Sequence, residues 1–253
     1  MPKRVKASLI HLLISISLVS SVLVFVVFLW YPSVYFGAMG VGKMLLILAS
    51  VDVTIGPLIT LIIFNPAKPS LKFDLAIIAV LQLSALMYGV GVVFMGRPVY
   101  AVYNVDMFTI VSAVDIPEVE LHKAGIQSLP IWGPRIVGAR LPVDGTERKA
   151  ILFSALNGGP DLPQMPRYYL PYETVANDVK ARMLPLNELL KRQKHLNKPE
   201  VKSSIDEIMM KQNLQPADLA FVPMRGKERD LTVLIRRKDA RIVSILSISP
   251  WGQ

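Results

Sequence analysis

The fold class the sequence predicts is a membrane protein: three transmembrane α-helices, then an α+β soluble domain with a small, mostly antiparallel sheet. Two observations carry this. Apolar runs lie at about 8–31, 43–64 and 74–95, each twenty-two residues or longer, enough at ~1.5 Å per residue to span a hydrocarbon core of ~30 Å. Charge is the second. Of the 28 Lys and Arg, 22 lie from Arg97 onward, with 17 of the 19 Asp and Glu. The chain therefore divides into a lipid-solvated domain, 1–96, and a water-soluble domain, 97–253.

The first span, Ser8 to Tyr31, carries no charge and closes on Trp30, Tyr31, Tyr35 and Phe36, as an interfacial aromatic belt does. Its Lys3, Arg4 and Lys6 lead-in resembles a signal peptide. The apolar run, however, far exceeds the about 7–15 residues of a cleaved one, and no A-x-A site follows. An uncleaved helix is expected. Lys43 to Phe64 and Asp74 to Met95 are the second and third spans. Basic residues occupy the N-terminal tail and, as Lys68 and Lys72, the loop between spans two and three, whereas Pro32–Gly42 has no charge. The positive-inside rule then puts the N-terminus in the cytoplasm of a bacterial inner-membrane protein and Arg97–Gln253 in the periplasm.

In the soluble domain, Pro98 to Asp115 reads as extended, by alternation and then by β-branched residues. Pro117–Ala124 reads as a short helix stopped by Gly125. Prolines and glycines break Pro130 to Pro171 into turns around one helix, Thr146–Leu156. Glu173 to Lys194, with a kink at Pro185, and Pro199 to Gln212 are two further helices. Phe221–Met224, Leu231–Arg236 and Ile242–Ser247 are short strands, the last two a hairpin.

Composition excludes several function classes. With no cysteine there is no disulfide, thiol catalysis or Cys-based metal site. The net +9 is spread along the chain, whereas nucleic-acid binders cluster it. Gly37-Ala38-Met39-Gly40-Val41-Gly42-Lys43 spells a phosphate loop up to its lysine. Met44 then stands where magnesium needs a hydroxyl, and no nucleotide is expected. His11, His122 and His195 show no ligand spacing. Asp115, Glu118 and Glu120 read as helix caps and dipole partners. Arg236-Arg237-Lys238 and Lys191-Arg192 read as solvated charge that could also meet lipid headgroups. No catalytic residue, cofactor or metal site is expected.

Asp52 is the most informative residue. A carboxyl within a span costs ~2.5 kcal/mol or more and pairs with protein or water. Asp52, Gly56 and Thr60 share a helix face, and Pro57 removes the amide that would bond the Val53 carbonyl. The set is either a contact for a partner's membrane helix or a clamp inside the bundle, with Ser20, Ser21, Ser84 or Tyr88 at similar depth.

The run Val51-Asp52-Val53-Thr54-Ile55-Gly56-Pro57-Leu58, closing in Phe64-Asn65-Pro66, resembles the second span of the TfpX/TfpZ family of type IV pilin accessory proteins. So do Arg97-Pro98-Val99-Tyr100, Trp132-Gly133-Pro134-Arg135, Phe153-Ser154-Ala155-Leu156, Tyr168-Tyr169-Leu170-Pro171-Tyr172 and Arg229-Asp230-Leu231. The resemblance covers nearly the whole chain. It implies a non-enzymatic inner-membrane factor that helps a major type IV pilin assemble into surface pili, or shifts the balance of extension and retraction. Its partners would be that pilin or the assembly machinery, within the lipid bilayer. From the residues alone, a membrane-anchored periplasmic enzyme acting on lipid-linked glycans, or a sensory or transporter accessory subunit, stays open.

Overall fold

The computed structural model describes residues 1–194 and 199–252. Two compact units make it up: Met1–Ser33 with Gly40–Arg97, and Val34–Met39 with Pro98–Gln253. His195 lies outside the described residues.

The first unit holds the helices α1 (Lys3–Trp30), α3 (Val41–Ile63) and α4 (Leu71–Met95), each long and apolar enough to cross a membrane. The short α2 (Tyr35–Met39) belongs to the second unit. Most large apolar side chains of the long helices, Phe28, Ile47, Ile62 and Met87 among them, are exposed. Apolar patches this large are rare on the surfaces of proteins in water. Two tight contacts join α3 to α4. A Cβ on Gly56 would meet the Gln82 amide, and one on Gly89 would meet Leu48, so both glycines permit close helix approach. At the other end, the Tyr31 hydroxyl donates to the Val93 carbonyl (2.8 Å), the Trp30 and Phe94 rings lie 4.8 Å apart, and the Arg97 guanidinium stacks on Phe94. Gly40 turns the chain into α3 at φ +67°, the left-handed region open to glycine. Gly40, one of the glycines of the phosphate-loop spelling, thus serves this corner.

The second unit is built on an eight-stranded mixed sheet in the order β4-β3-β1-β2-β6-β7-β8, with β5 also on β6. The strands are β1 (Pro98–Asn104), β2 (Met107–Ser112), β3 (Arg135–Ala139), β4 (Tyr169–Pro171), β5 (Leu184–Pro185), β6 (Leu219–Arg225), β7 (Leu231–Arg236) and β8 (Ile242–Leu246). The sheet is larger than the small one expected above. Most of its pairings are antiparallel, as expected, but its central hairpin β1–β2 is flanked by parallel pairs, β1 with β3 and β2 with β6, which makes the sheet mixed. β1, β6 and β7 are buried along nearly their whole length, as strands covered on both faces are. Residues of β1 and β2 share a core with Ile151 of α6 (Gly145–Leu156), Ile116, Leu162 and Met165. Leu219, Phe221 and Leu234 share another with α8 (Leu186–Lys194) and α9 (Pro199–Gln212).

Three further expectations change. The extended stretch from Pro98 is a hairpin turning at Val105-Asp106. Val105 is left-handed (φ +57°), and the Asp106 amide donates back to the Asn104 carbonyl at 2.7 Å; Asn104 and Asp106 are turn-favouring residues, and the β-branched valine between them masks that signal. The helix from Glu173 to Lys194 is three pieces: a 3₁₀ turn, Tyr172–Val175, leads into α7 (Ala176–Arg182), and β5 separates α7 from α8. The residue before Pro185 is pushed out of helical geometry, and Leu184 pairs with Phe221 instead. The turn-rich stretch from Pro130 contains two strands, β3 and β4. The short helix α5 (Glu118–Lys123) is where expected, with Gly125 left-handed behind it.

Candidate functional site

The sequence around Asp52 forces an irregular turn. Val51–Ile55 is a π turn inside α3, and Pro57 opens the helical segment beyond it. In π register the carbonyl of Asp52 looks to residue 57, a proline with no N–H. The freed carbonyl is therefore that of Asp52 rather than Val53, and Gln82 of α4 answers it, its Nε2 donating at 3.2 Å.

Around this turn the four residues singled out by sequence come together. Asp52, Gly56, Pro57 and Thr60 are all buried. α1 supplies their partners: the Ser8 hydroxyl donates to the Pro57 carbonyl (2.9 Å), and His11 Nδ1 lies 2.6 Å from Thr60 Oγ1. Gly56 is covered by the Gln82 amide, whose nitrogen stands where a Cβ on residue 56 would need to be. The hydroxyls expected to serve Asp52 do not: Ser20, Ser21, Ser84 and Tyr88 are exposed, and Ser21 bonds its own Ser17 carbonyl. Ser15 is the buried hydroxyl of α1. Sequence reasoning missed Ser8, His11 and Gln82. An amide and an imidazole inside otherwise apolar spans were the available signal.

Beside the clamp, an apolar groove of about 560 Å³ runs between α3 and α4, with Ile55, Ile59, Ile77 and Leu81 among its walls. Gln82 and Gly56 reach it from the clamp. The Lys68–Asp74 ion pair (2.5 Å) lies at its loop end.

In the second unit the charged residues singled out are structural. Asp115 accepts from the Ser112 amide (3.0 Å) and pairs with Lys227 (2.8 Å). Glu118 pairs with His122 on the surface. Glu120, buried, is held by Lys123 (2.9 Å) and Arg167 (3.4 Å). Arg237 Nε donates to the Leu219 carbonyl (3.0 Å), and Arg192 donates to the Pro250 carbonyl (2.7 Å). Arg236 binds Asp239, and its hydrogen bonds hold that carboxyl down at about 2. Burial, helped by Asp178 nearby, pushes the Tyr103 phenol up to about 12. Among the described residues no group of three or more His, Asp or Glu is placed to hold a metal ion.

This arrangement is built for helix packing, and the comparisons with known proteins point to what is assembled. A family model described as fimbrial assembly protein FimB matches residues 1–40, the stretch that contributes Ser8 and His11. The chain is 27% identical to the serogroup I fimbrial assembly protein of Dichelobacter nodosus and 28% identical to that of serogroup E1. Each match covers 97% of this chain and 95% of the relative. The protein of serogroups C1 and C2 from the same organism is 36% identical over 121 residues, 47% of this chain and 92% of that relative. No solved structure matches. The chain belongs to the FimB family of fimbrial assembly proteins.

Proposed function

We propose that this protein is a non-enzymatic accessory factor of type IV fimbriae, set in the bacterial inner membrane with its N-terminus cytoplasmic and Pro98–Gln253 periplasmic. It helps a major fimbrial subunit enter the surface fibre, or shifts the balance between extension and retraction. The observation that carries this is the near-complete match to fimbrial assembly proteins, on a chain whose three long helices are apolar enough to cross a membrane. The basic residues flanking those helices support the topology. The runs Val51–Leu58 and Tyr168–Tyr172 support the finer kinship with TfpX/TfpZ accessory proteins. The test is deletion of the gene, followed by measurement of sheared surface fimbriae with the retraction motor present and absent. Loss in the first background with recovery in the second assigns the protein to the extension–retraction balance. Loss in both assigns it to assembly. Unchanged fimbriae in both sink the proposal.

A further inference from the structure

α6 turns one side inward and leaves the other bare. Ile151 is its buried residue, with Ser154 and Ala155 half-buried beside it. At about 3.6 residues per turn, Lys149, Leu152, Phe153 and Leu156 fall on the opposite side. All four are exposed, the last three by more than half. The acids at the start of the helix are taken: Asp144 caps the Glu147 amide (2.8 Å), and Glu147 accepts from the Tyr168 hydroxyl. Lys149 has no partner among the described residues. The free charge on the bare side is thus positive, one turn before the three apolar residues. Ile131 and Trp132 are exposed as well, in the loop whose Leu129 packs on the same core as Ile151.

Two observations select the bilayer as the cover for this side. The chain passes between the two units at Ser33–Val34, Met39–Gly40 and Arg97–Pro98, and only Gly96 and Arg97 stand between α4 and β1. A unit tied so closely to membrane-spanning helices meets lipid at an effective concentration on the order of millimolar, whereas another protein must first find it. The second observation is the lysine. Lysine is depleted from the cores of protein interfaces. At a lipid surface its stem lies along apolar neighbours while the amine reaches the headgroups. We infer that α6 is an interfacial helix. Leu152, Phe153 and Leu156 enter the boundary between headgroups and acyl chains of the periplasmic leaflet, and Lys149 answers its anionic lipids. The inference goes beyond the fimbrial role and rests only on the topology proposed above.

The test attaches the environment-sensitive fluorophore nitrobenzoxadiazole to Phe153→Cys in the full-length chain and, separately, to Met210→Cys, an exposed position on α9. Each chain is placed in nanodiscs of phosphatidylethanolamine and phosphatidylglycerol, with some lipid bearing a nitroxide on its acyl chain. The expected result is blue-shifted emission from position 153 and nitroxide quenching at least fivefold stronger there than at 210. Leu156→Cys is expected to behave as Phe153→Cys does, so a label that disturbs packing at one site does not decide the outcome. Lys149→Gln is expected to lower the ratio of docked to free populations about fivefold in these discs and to leave it unchanged in discs of phosphatidylcholine alone. Emission from 153 as red as from 210, or equal quenching at both, overturns the inference. A blue shift at 153 in fimbriated cells that is absent from the nanodiscs overturns it too, and gives this side of α6 to a protein. Failure of the topology shows separately, because thiols at Val143→Cys and Lys72→Cys report the side of the membrane whether or not α6 docks.

Discussion

His11 Nδ1 sits 2.6 Å from Thr60 Oγ1, tying the first long helix to the last turn of the second. Three residues earlier on each helix, Ser8 repeats the tie at the carbonyl of Pro57. Thr60→Val keeps the shape and removes the hydroxyl. Interhelical hydrogen bonds of this kind are worth about 0.6 kcal/mol and up to about 1.7. The substitution should lower the thermal midpoint of the detergent-purified chain by a few degrees, and His11→Leu should add little to it. Fully additive losses would show that the two side chains act separately.

Gly56 and Gln82 make a second pair that can be taken apart. In Gly56→Ala the new methyl occupies the place of the Gln82 amide, which must swing away and abandon the Asp52 carbonyl. A loss of about 1–3 kcal/mol is expected from such overpacking. Gln82→Ala in the same chain should restore a good part of it. A double-mutant cycle read by unfolding in mixed detergent measures the coupling.

Gly226 meets backbone instead. An added Cβ would collide with the carbonyl oxygen of Arg229 and lie 2.8 Å from that of Ala38, and neither can turn aside as a side chain does. Gly226→Ala should cost more than about 2 kcal/mol and expose the second unit to limited proteolysis. A protease pattern identical to the parent's would contradict this.

Tyr103 predicts an alkaline limit. Its phenol is held neutral by burial and lies within hydrogen-bond distance of the Val105 and Asp178 carbonyls (3.1 and 3.2 Å). With the folded value raised from 10 to about 12, its contribution to stability is complete below pH 10 and is lost as pH rises from 10 through 12. Absorbance at 295 nm should show this phenol ionising well after a free tyrosine would, and Tyr103→Phe should remove one late-titrating group.

The absence of cysteine makes topology directly measurable. Val143 is 93% exposed, so a thiol at Val143→Cys should react with a membrane-impermeant maleimide on intact spheroplasts, and one at Lys72→Cys only after lysis. The reverse pattern would invert the proposed orientation.

The three long helices were legible because a continuous apolar run of bilayer length is seldom anything but a membrane span. Asp52 was legible for the opposite reason, as a charge in the wrong solvent. Its surroundings were not. Depth matching assumes straight helices, and the π turn at Val51–Ile55 shifts the register, so Gln82 rather than Ser84 or Tyr88 faces the irregular turn. In the second unit, α5, α6, α9 and the β7–β8 hairpin follow local signals. β1 beside β3 and β2 beside β6 do not: Phe108 and Met224 are neighbours across more than a hundred residues, and nothing near either one announces the other.

Ala38, finally, accepts hydrogen bonds from the amides of Glu228 and Arg229, so the second unit is stitched to a segment made before two of the three long helices. During synthesis that segment waits unpartnered until nearly the whole polypeptide has emerged, and a closure this long is slow. An excised Pro98–Gln253 fragment would be born with a hole where Val34–Met39 belongs. Supplying those six residues as a separate peptide would test whether the hole is what keeps such a fragment from maturing.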